Sequence, residues 1–518
     1  MYIQYNMDQL ILPMDIEVLI PNQHLCRIVN LAVEKMNPHL LDQLYPGGGR
    51  PPFHPKMMLK VILYAYANRI YSSRQIAKQL EENIYFMWLS GHQKPDFRTI
   101  NRFRSGRMKD VIYESFFAVV DLLKEEGLVK LEDYFLDGTK LEANANKYTF
   151  VWKGSTLKYD QKLDEKFHQI VLSIEEVARL DEEAEHEKDL QEKLGETPVT
   201  SEKIAETVKR IEERLGHEPK NKVLKKAKRQ LENDLLPRKQ KYEEQKKILG
   251  DRNSFSKTDQ DATFMRMKDD HMKNGQLKPG YNVQLGTENQ FITGFSLHQR
   301  AGDPGCLIPH VETLKKYNRP IPKFLMADSG YGSEENYTYL EKEKVEAYVK
   351  YNTFDKEQTK AWKEQVGRVE NMTYDEELDE WICANQKRLT FQYESRKKSD
   401  NGYTSVKRTY RSTDCRNCPF QSTCAKDKET KTIQVSIQNQ KQRQEVRERL
   451  SSEEGQEKYK QRKMDVEPVF GQIKYNRGFN RFSLRGLSKN TTDLGLLCIA
   501  HNLLKWEKHT QKNLKKEA

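Results

Sequence analysis

The sequence predicts an α/β protein, and three acidic residues in distinctive surroundings carry that prediction. Asp137 and Asp328 each follow an apolar, strand-like run, and Glu467 lies in a segment with helical periodicity. A carboxylate at the end of a buried strand is typical of the sheet edge where ligands collect in α/β proteins. Aspartates also open loops or cap helices, and glutamates are common on solvated helix faces, so those interpretations stay open for each residue alone.

These acids suit a particular kind of ligand. Two aspartates at strand ends and a glutamate on a helix would supply the oxygen ligands that Mg²⁺ prefers, and they would leave room for substrate phosphates. Two such ions about 3.5 to 4 Å apart can stabilise the attacking and leaving oxygens of a phosphodiester displacement. The sequence therefore suggests metal-dependent chemistry on DNA.

Size and composition predict several domains and an anionic partner. A chain of 518 residues exceeds what one hydrophobic core normally serves. Hydrophobic residues make up 36% of the chain and charged residues 32%, which predicts long solvated helices beside the globular parts. The net charge of +11 favours a polyanionic partner, although a uniformly basic soluble protein would have the same totals.

The distribution of charge favours DNA. Basic residues concentrate in two blocks, at 91–110 and from 471 to the end of the chain, around a nearly balanced middle. Such blocks fit contact with DNA phosphates better than solubility alone. No apolar run approaches the ~18 residues of a membrane span, and the N-terminus lacks a charged-then-apolar export signal. We therefore expect a cytoplasmic protein that binds double-stranded DNA and no membrane.

Residues 1–125 are predicted to form a helical DNA-binding domain. Its third helix begins near Asp96, and one side of that helix is an apolar stripe. The other side carries Arg98, Asn101, Arg102 and Ser105. The candidate DNA contacts are Arg98, Asn101, Arg102 and Arg104, which belong to the basic block at 91–110. Arginine can pair with guanine and asparagine with adenine, as on a recognition helix. An ordinary solvated face has the same pattern, so both interpretations stay open, and phosphate contact is the safer expectation.

The rest of the chain predicts one α/β domain with two insertions. Strands are expected over 281–285, 291–297 and 345–350, with a helix over 309–317. Together with the two aspartate strands, this order matches an interrupted α/β sheet in which both aspartates can meet. The predicted domain boundaries are 126–157, 251–351 and 455–510 for the catalytic domain, 158–250 and 352–454 for the insertions, and 511–518 for a basic tail.

The two insertions differ in composition. Residues 158–250 are rich in Glu, Lys, Gln, Arg and Leu, which predicts long charged helices in a hairpin or short coiled coil without chemistry of its own. The second insertion is rich in Lys, Arg and Ser, and we expect that it cannot build its own core. It contains a cysteine cluster, Cys415, Cys418 and Cys424 with Cys383 upstream. Four thiolates would suit a structural Zn²⁺, whereas unrelated reduced cysteines are the alternative.

The segment around Glu467 reads as a helix that packs on the sheet. An apolar stripe begins at Val466 and recurs at i+3, i+4 and i+7. Pro468 would cost an interior helix a hydrogen bond. Whether Glu467 precedes the helix or lies at a kink is open.

Around the three acids and in the N-terminal helices, the chain resembles a known family, the bacterial DDE insertion-sequence transposases. Within it, the chain is most similar to the group named after insertion sequence eleven-eighty-two, with an InsH-type N-terminal domain. The resemblance spans most of the chain, and the residues that carry it are 72–76, 95–100, 137–140, 279–284, 327–331 and 466–474. The last of these stretches is the most specific.

This resemblance implies a ribonuclease-H-like catalytic domain in which Asp137, Asp328 and Glu467 bind two Mg²⁺ ions. The superfamily's helical signature of Tyr, Arg, Glu and Lys maps to Tyr459, Arg462, Glu467 and Lys474. Four residues rather than three separate Arg462 from Glu467, and Lys463 stands at the expected step. Either cation is therefore a candidate for gripping the phosphate at the transposon end.

The resemblance also implies an activity. Such an enzyme would bind the terminal inverted repeats of its insertion sequence as a homo-oligomer on DNA, associated with the nucleoid. It would cut with water and join the freed 3′ hydroxyl to target DNA, one Mg²⁺ activating the nucleophile and the other stabilising the leaving oxygen. Two alternatives remain: a metal-dependent nuclease that does not join DNA, and a catalytically inactive DNA-binding protein.

Overall fold

The computed structural model describes residues 15–44, 52–180, 198–267, 275–399, 401–426 and 428–517. The chain divides into two compact units, Met1–Asn144 with Tyr281–Ala518, and Ala145–Gly280. We call them unit 1 and unit 2. Unit 2 contains the predicted helical insertion together with residues on both sides of it.

Helices account for much of the described chain. In chain order they are α1 (Ile16–Leu19), α2 (Leu25–Lys35), α3 (Pro38–Asp42), α4 (Pro55–Ala67), α5 (Ser73–Glu82), α6 (Ile84–Ser90), α7 (Phe97–Arg102), α8 (Ile112–Glu125), α9 (Lys153–Leu180), α10 (Ser201–His217), α11 (Lys222–Gln230), α12 (Leu236–Leu249), α13 (Leu307–Lys316), α14 (Glu334–Lys342), α15 (Phe354–Glu357), α16 (Lys360–Lys363), α17 (Ile437–Ser451), α18 (Glu453–Gly471) and α19 (Leu487–Glu517).

The strands form one mixed sheet and two antiparallel ones. In chain order they are β1 (Asp133–Glu142), β2 (Phe150–Trp152), β3 (Ser254–Ser256), β4 (Thr263–Arg266), β5 (Leu277–Glu288), β6 (Phe291–His298), β7 (Phe324–Ala327), β8 (Glu346–Val349), β9 (Thr373–Asp375), β10 (Glu380–Ile382), β11 (Arg388–Lys398), β12 (Thr404–Ser412) and β13 (Thr432–Val435). The α/β class predicted from the sequence is therefore confirmed.

The mixed sheet is the centre of unit 1. Within unit 1, the strands of this sheet lie in the order β6-β5-β1-β7-β8. The hairpin of β5 and β6 is antiparallel, whereas β7 is parallel to both β1 and β8. Helix α18 packs against β1, β7 and β8, while α8 and α19 pack against β6. Because helices cover them, the parallel strands are almost wholly buried, as their continuous apolar sequences require.

Strand β1 does not end at Asp137, as the sequence pattern predicted, but continues to Glu142. Backbone pairing explains the extension. The Glu142 N–H donates to the Asn480 carbonyl at 3.0 Å, and the Phe482 N–H donates to the Glu142 carbonyl at 2.9 Å. These partners lie far along the chain, so the local sequence gave no sign of them.

The last long helix ties together distant parts of unit 1. Helix α19 packs against α4 and α8 near the start of the chain as well as against β6. The Asn502 side chain accepts from the Ile292 N–H at 2.8 Å and donates to the Ile292 carbonyl at 2.8 Å. An asparagine that satisfies both backbone groups of an edge strand fixes the register of the helix on the sheet. The predicted basic tail is a continuation of this helix in the structure.

Unit 2 is built on charged helices with an apolar seam. Helices α9, α10 and α11 contribute Phe167, Ile204 and Leu224 to one buried cluster. Lys239 on α12 is buried there, and its ammonium lies 2.9 Å from Asp160 and 2.5 Å from Asp164. Paired carboxylates of this kind allow a lysine to be buried.

The cysteine-bearing segment forms its own small sheet, in the order β13-β12-β11-β10-β9. Its core consists of Met372, Trp381, Leu389, Tyr410, Ile433 and Val435. The expectation that this segment cannot build a core was therefore wrong, because six apolar residues spread over four short strands and a loop converge. Within the described residues, no helix is long and apolar enough to cross a membrane.

Candidate active site

The strand register brings two of the predicted acids together. In the parallel pair of β1 and β7, Leu136 lies opposite Ala327. The next residues along the chain are Asp137 on β1 and Asp328, which directly follows β7, and neighbouring strands are about 4.8 Å apart. The two carboxylates therefore project from adjacent positions at one edge of the sheet.

Asp137 is nearly buried and is held from two sides. Only 9% of the residue is exposed. The Gly138 N–H donates to Asp137 Oδ1 at 2.8 Å, and Arg462 Nη2 on α18 lies 3.4 Å from Asp137 Oδ2. A Cβ at Gly138 would lie 2.8 Å from Asp303 Oδ1 and 2.9 Å from the Tyr331 hydroxyl. Glycine at 138 is therefore what lets these side chains crowd against Asp137.

Asp328 is the first residue after β7 and is only half-buried. The Gly330 N–H donates to its Oδ1 at 2.8 Å. The chain then turns into α14, where the Ser333 side chain accepts from the Asn336 N–H. This turn keeps the Asp328 carboxylate at the edge of the sheet with one face open to solvent.

A third carboxylate, Asp303, lies beside these two and was not singled out from the sequence. Asn282 Nδ2 donates to Asp303 Oδ1 at 2.7 Å, and Gln284 Nε2 reaches the same oxygen at 3.2 Å. The other oxygen, Oδ2, lies 3.7 Å from the position that a Cβ at Gly330 would take. The signal in the sequence is weak, because Asp before Pro reads as an ordinary turn.

Helix α18 covers the acidic edge with basic and aromatic side chains. Lys458 Nζ lies 2.8 Å from Asp133, and Lys350 Nζ lies 4.2 Å from the centre of the Tyr459 ring. Arg462 is 5% exposed, and its Nε has no hydrogen-bond partner among the described residues. Among the predicted cations, Arg462 therefore contacts Asp137.

The other predicted residues of this region lie elsewhere on the helix and beyond it. Pro468 lies inside α18, so Glu467 belongs to the helix and does not precede it. Glu467 and Lys463 are exposed, and Lys474 is buried with only 5% of its surface accessible. In the part of the chain that the structure describes, Glu467 makes no hydrogen bond or ion pair with either aspartate.

The side chains of the described residues offer at most two ligands to any one metal ion. Among the described ranges, no three His, Cys, Asp or Glu side chains are placed so that they could share a metal ion. Asp137 and Asp328 nevertheless fit Mg²⁺, which is usually bound through one or two carboxylates and completes its shell with water and phosphate oxygens.

The residues predicted to contact DNA in the N-terminal helices differ in exposure. Arg98, Asn101 and Arg102 are exposed. Arg104 is 3% exposed, and its Nη1 donates to the Tyr66 hydroxyl at 3.0 Å and lies 4.0 Å from Asp493. Arg104 therefore stabilises the core in this structure, whereas its predicted role was a surface contact.

The four cysteines of the second insertion lie around one small cavity, although they come from separate loops. Cys383 follows β10, Cys415 and Cys418 follow β12, and Cys424 lies in a short helical turn at Gln421–Ala425. Burial raises the pKa of the Cys424 thiol, and the three other cysteines add to that shift. All four are free thiols in the structure. They line one cavity, but among the described residues no three of them are placed so that they could share a metal ion.

Two family models match parts of the chain. Residues 382–506 match the family model described as "Transposase DDE domain", and residues 14–106 match the model described as "Transposase domain (DUF772)". The first match includes α18 and the cysteine segment, and the second covers most of the N-terminal helices. Neither a curated protein nor a solved structure gave a significant match. The two family matches identify transposase domains at both ends of the chain and support a DDE transposase.

Proposed function

We propose that this protein is a DDE transposase that binds the terminal inverted repeats of its own insertion sequence and catalyses Mg²⁺-dependent cleavage and strand transfer. The single observation that carries the proposal is the register of β1 and β7, in which Asp137 and Asp328 follow one paired position. Metal-dependent nucleases and transposases need carboxylates at that spacing to act on one phosphodiester. The matches to two transposase models support the same activity.

A ribonuclease-H-like catalytic domain is part of this proposal. The strand order β6-β5-β1-β7-β8, with an antiparallel hairpin on one side and parallel strands on the other, supports it. The two acids then belong to the central strand and to its parallel neighbour. The group of insertion sequence eleven-eighty-two remains the more specific assignment within this proposal.

The chain's own residues would divide the work at the acidic edge. Asp137 and Asp328 would hold Mg²⁺, and bound Mg²⁺ supplies activation of the nucleophile and stabilisation of the leaving oxygen. Arg462, whose Nε has no partner among the described residues, would donate to a DNA phosphate. Glu467 is proposed as the third acid, and because it is exposed on α18, that role requires its side chain to turn towards the sheet edge once metal and DNA are present.

Exposed cations near the site would contact the DNA backbone. The hairpin of β11 and β12 carries the exposed side chains Arg396, Lys397, Lys398 and Lys407. Its tip is held close to the Asp303 loop, because Arg300 Nη1 donates to Asn401 Oδ1 at 2.7 Å. A basic arm that approaches the acidic edge suits phosphate contact, and the exposed Arg98 and Arg102 would add a second area of contact.

We further infer that the four cysteines bind a structural Zn²⁺. The cavity that they share supports this, since four thiolates satisfy the tetrahedral shell of zinc and leave no open position for catalysis. The metal would then add to the stability of the small sheet, which already has its own apolar core.

A strand-transfer assay tests the proposed function. Purified protein is incubated with Mg²⁺, labelled DNA that carries the inverted repeats flanking the coding region, and a target plasmid. Cleavage followed by joining is the expected result. Cleavage without joining would identify a nuclease, and a gel shift without cleavage would identify a DNA-binding protein, and either outcome overturns the proposal.

A further inference from the structure

A cavity of about 670 Å³ opens in unit 1 next to the acidic edge, and its lining contains none of the three predicted acids. Its walls come from the chain between Lys350 and Asn371, from the end of α17 and from the first part of α18. We call it the side cavity. Its volume lies within the range of about 300 to 1,000 Å³ that small-molecule sites have. It is therefore large enough for a single nucleotide, whereas a base that stays stacked in a duplex cannot enter such a pocket.

The strand register places one wall of the side cavity level with Asp328. In the parallel pair of β7 and β8, Ala327 lies opposite Val349. The next residues along the chain are Asp328, which follows β7, and Lys350, which follows β8 and lines the cavity. Neighbouring strands are about 4.8 Å apart. The cavity therefore begins about one strand away from this aspartate.

Tyr459 on α18 connects the side cavity to the acidic edge. It lines the cavity, and Lys350 Nζ lies 4.2 Å from the centre of its ring. Burial raises the pKa of the Tyr459 hydroxyl, and the negative charges of Asp328 and Asp137 add to that shift. Both aspartates are therefore near the ring that forms part of the cavity wall. A DNA strand that lies on the acidic edge would pass the mouth of the cavity.

The side cavity has a surplus of positive charge. Its lining includes three acids, and each of them pairs with a cation, in the pairs Asp355–Lys350, Glu357–Arg447 and Glu370–Arg443. Lys363 and Lys460 also line the cavity and are exposed, and neither has an ion-pair partner in the part of the chain that the structure describes. Lysines whose charge is not offset suit the phosphate of a bound nucleotide.

Aromatic and amide side chains in the same lining suit a base. Phe354 and Trp362 are nearly buried, with 7% of each residue exposed. Every base has an apolar face that packs on aromatic rings, so these two rings and Tyr459 provide a wall for any base. Gln358 and Gln456 are exposed in the lining, and their amides can hydrogen-bond the edge of a base. The lining thus combines the groups that a base and a phosphate each require.

We propose that the side cavity binds one unpaired nucleotide of the DNA strand that lies on the acidic edge. The base packs against Phe354, Trp362 and Tyr459, and Lys363 and Lys460 contact the phosphate. The proposal rests on the proposed function, since it needs DNA at the acidic edge. A nucleotide in a duplex must leave the stack before it can enter, which costs free energy. DNA whose end is already unpaired should therefore bind more tightly.

DNA binding in EDTA, measured by fluorescence anisotropy, tests this inference without turnover. The probes are labelled duplexes that carry the inverted repeat flanking the coding region. In the first probe the terminal base pair is intact, and in the second it is a mismatch. In two further probes one of the unpaired nucleotides, on either strand, lacks its base. Competition with unlabelled deoxynucleoside 5′-monophosphates distinguishes DNA from a free nucleotide as the occupant.

A bulky substitution blocks the side cavity without changing its charge. Ser451 is an exposed lining residue at the end of α17, so Ser451→Trp places a large ring at the cavity. Gln444→Trp is the matched control, because Gln444 is exposed on the same helix and does not line the cavity. Circular dichroism of both variants checks that they are folded.

We expect the parent to bind the mismatched end at least about tenfold more tightly than the paired end, because the cost of unpairing is avoided. Removing the base on one of the two strands should weaken binding by at least about fivefold, since the contact with the aromatic wall is lost. Ser451→Trp should bind paired and mismatched ends alike. Gln444→Trp should retain the parental preference.

Equal affinity of the parent for both ends, or a preference that survives in Ser451→Trp, would overturn the role of the side cavity. So would unchanged binding when the base is missing from either strand, and so would displacement by free nucleotides as effective as that by unlabelled mismatched DNA. In each of these cases, cleavage and joining in the strand-transfer assay would still uphold the proposed function. Failure of the parent to bind any of the probes would overturn the proposed function itself.

Discussion

Replacing Asp328 by Asn should stabilise the metal-free protein while removing its response to Mg²⁺. The Asn side chain keeps an oxygen that can accept from the Gly330 N–H, so the turn after β7 is preserved. What is lost is one negative charge beside Asp137 and Asp303. If Asp328 had a purely structural role, the substitution would instead lower the free energy of unfolding.

The size of the effect follows from the spacing of the strands. Carboxylates on adjacent strands about 6 Å apart, at an effective dielectric constant of about 20, repel each other by about 3 kcal/mol. Asp328 is half-buried, and Arg462 already offsets part of the charge on Asp137, so about 1 kcal/mol of this repulsion should remain. In EDTA, the free energy of unfolding of the variant should therefore exceed that of the parent by about 1 kcal/mol.

Urea unfolding followed by tryptophan fluorescence measures both effects. The parent should gain about 2.7 kcal/mol when Mg²⁺ is present at a hundred times its dissociation constant. Asp328→Asn should gain much less. The control Asp121→Asn loses an ion pair with Arg319 and should keep the parental Mg²⁺ response. A variant at 328 that is less stable than the parent in EDTA and still responds fully to Mg²⁺ would refute the reasoning.

Three further predictions concern the core, the histidines and the cysteines. Asp493→Leu should lower the free energy of unfolding by about 3 to 5 kcal/mol, because it removes the carboxylate beside the buried charge of Arg104. Adding Arg104→Leu should recover part of that loss, and strictly additive losses would contradict the pairing. Burial lowers the pKa of His310 to about 3, so protons bind more strongly to the unfolded chain, and stability present at pH 7 should be lost as the pH falls below about 6.5. At pH 5.5 His310 alone should account for about 1.4 kcal/mol of the loss in urea unfolding, and His298 and His501, whose pKa values burial also lowers, should add to it. A His310→Gln variant that shows the full parental pH dependence would argue against the contribution of His310. Metal analysis of the purified Cys415→Ser variant should find no bound zinc. Cys498→Ala, which changes a buried cysteine in a separate part of the core, should leave the zinc content unchanged. Retention of zinc by Cys415→Ser would end the zinc proposal.

The sequence was informative where local pattern and strand geometry agree. Two apolar runs followed by aspartates predicted two neighbouring strands, and Asp137 and Asp328 each follow the last paired position of the parallel β1 and β7, although β1 itself continues to Glu142. The hairpin of β5 and β6 could be predicted from two strand-like runs and a short turn. In both cases the signal is local, because each aspartate directly follows its own apolar run and the two strands of the hairpin are neighbours in the sequence.

Long-range packing explains what the sequence pattern missed. Arg104 was predicted as a DNA contact from its place in a basic block, but it lies just beyond α7, four residues after the buried Ile100. Its contacts with Tyr66, Tyr71 and Asp493, all distant in the sequence, make its position a buried one. Asp303 reads as a turn residue until Asn282 and Gln284 from another strand orient it. The core of the cysteine segment is assembled from one or two apolar residues on each of four strands and one from a loop, which gives no periodic signal.

The account depends most on the claim that Asp137 and Asp328 act together on DNA through divalent metal. The most direct measurement is Mg²⁺-dependent cleavage and joining of labelled inverted-repeat DNA by the parent and by Asp137→Asn and Asp328→Asn, with gel shifts recorded in parallel. We expect both variants to bind the DNA as the parent does, since exposed cations supply the affinity, and to lose cleavage and joining altogether. Cleavage at the parental rate by either variant would contradict the account.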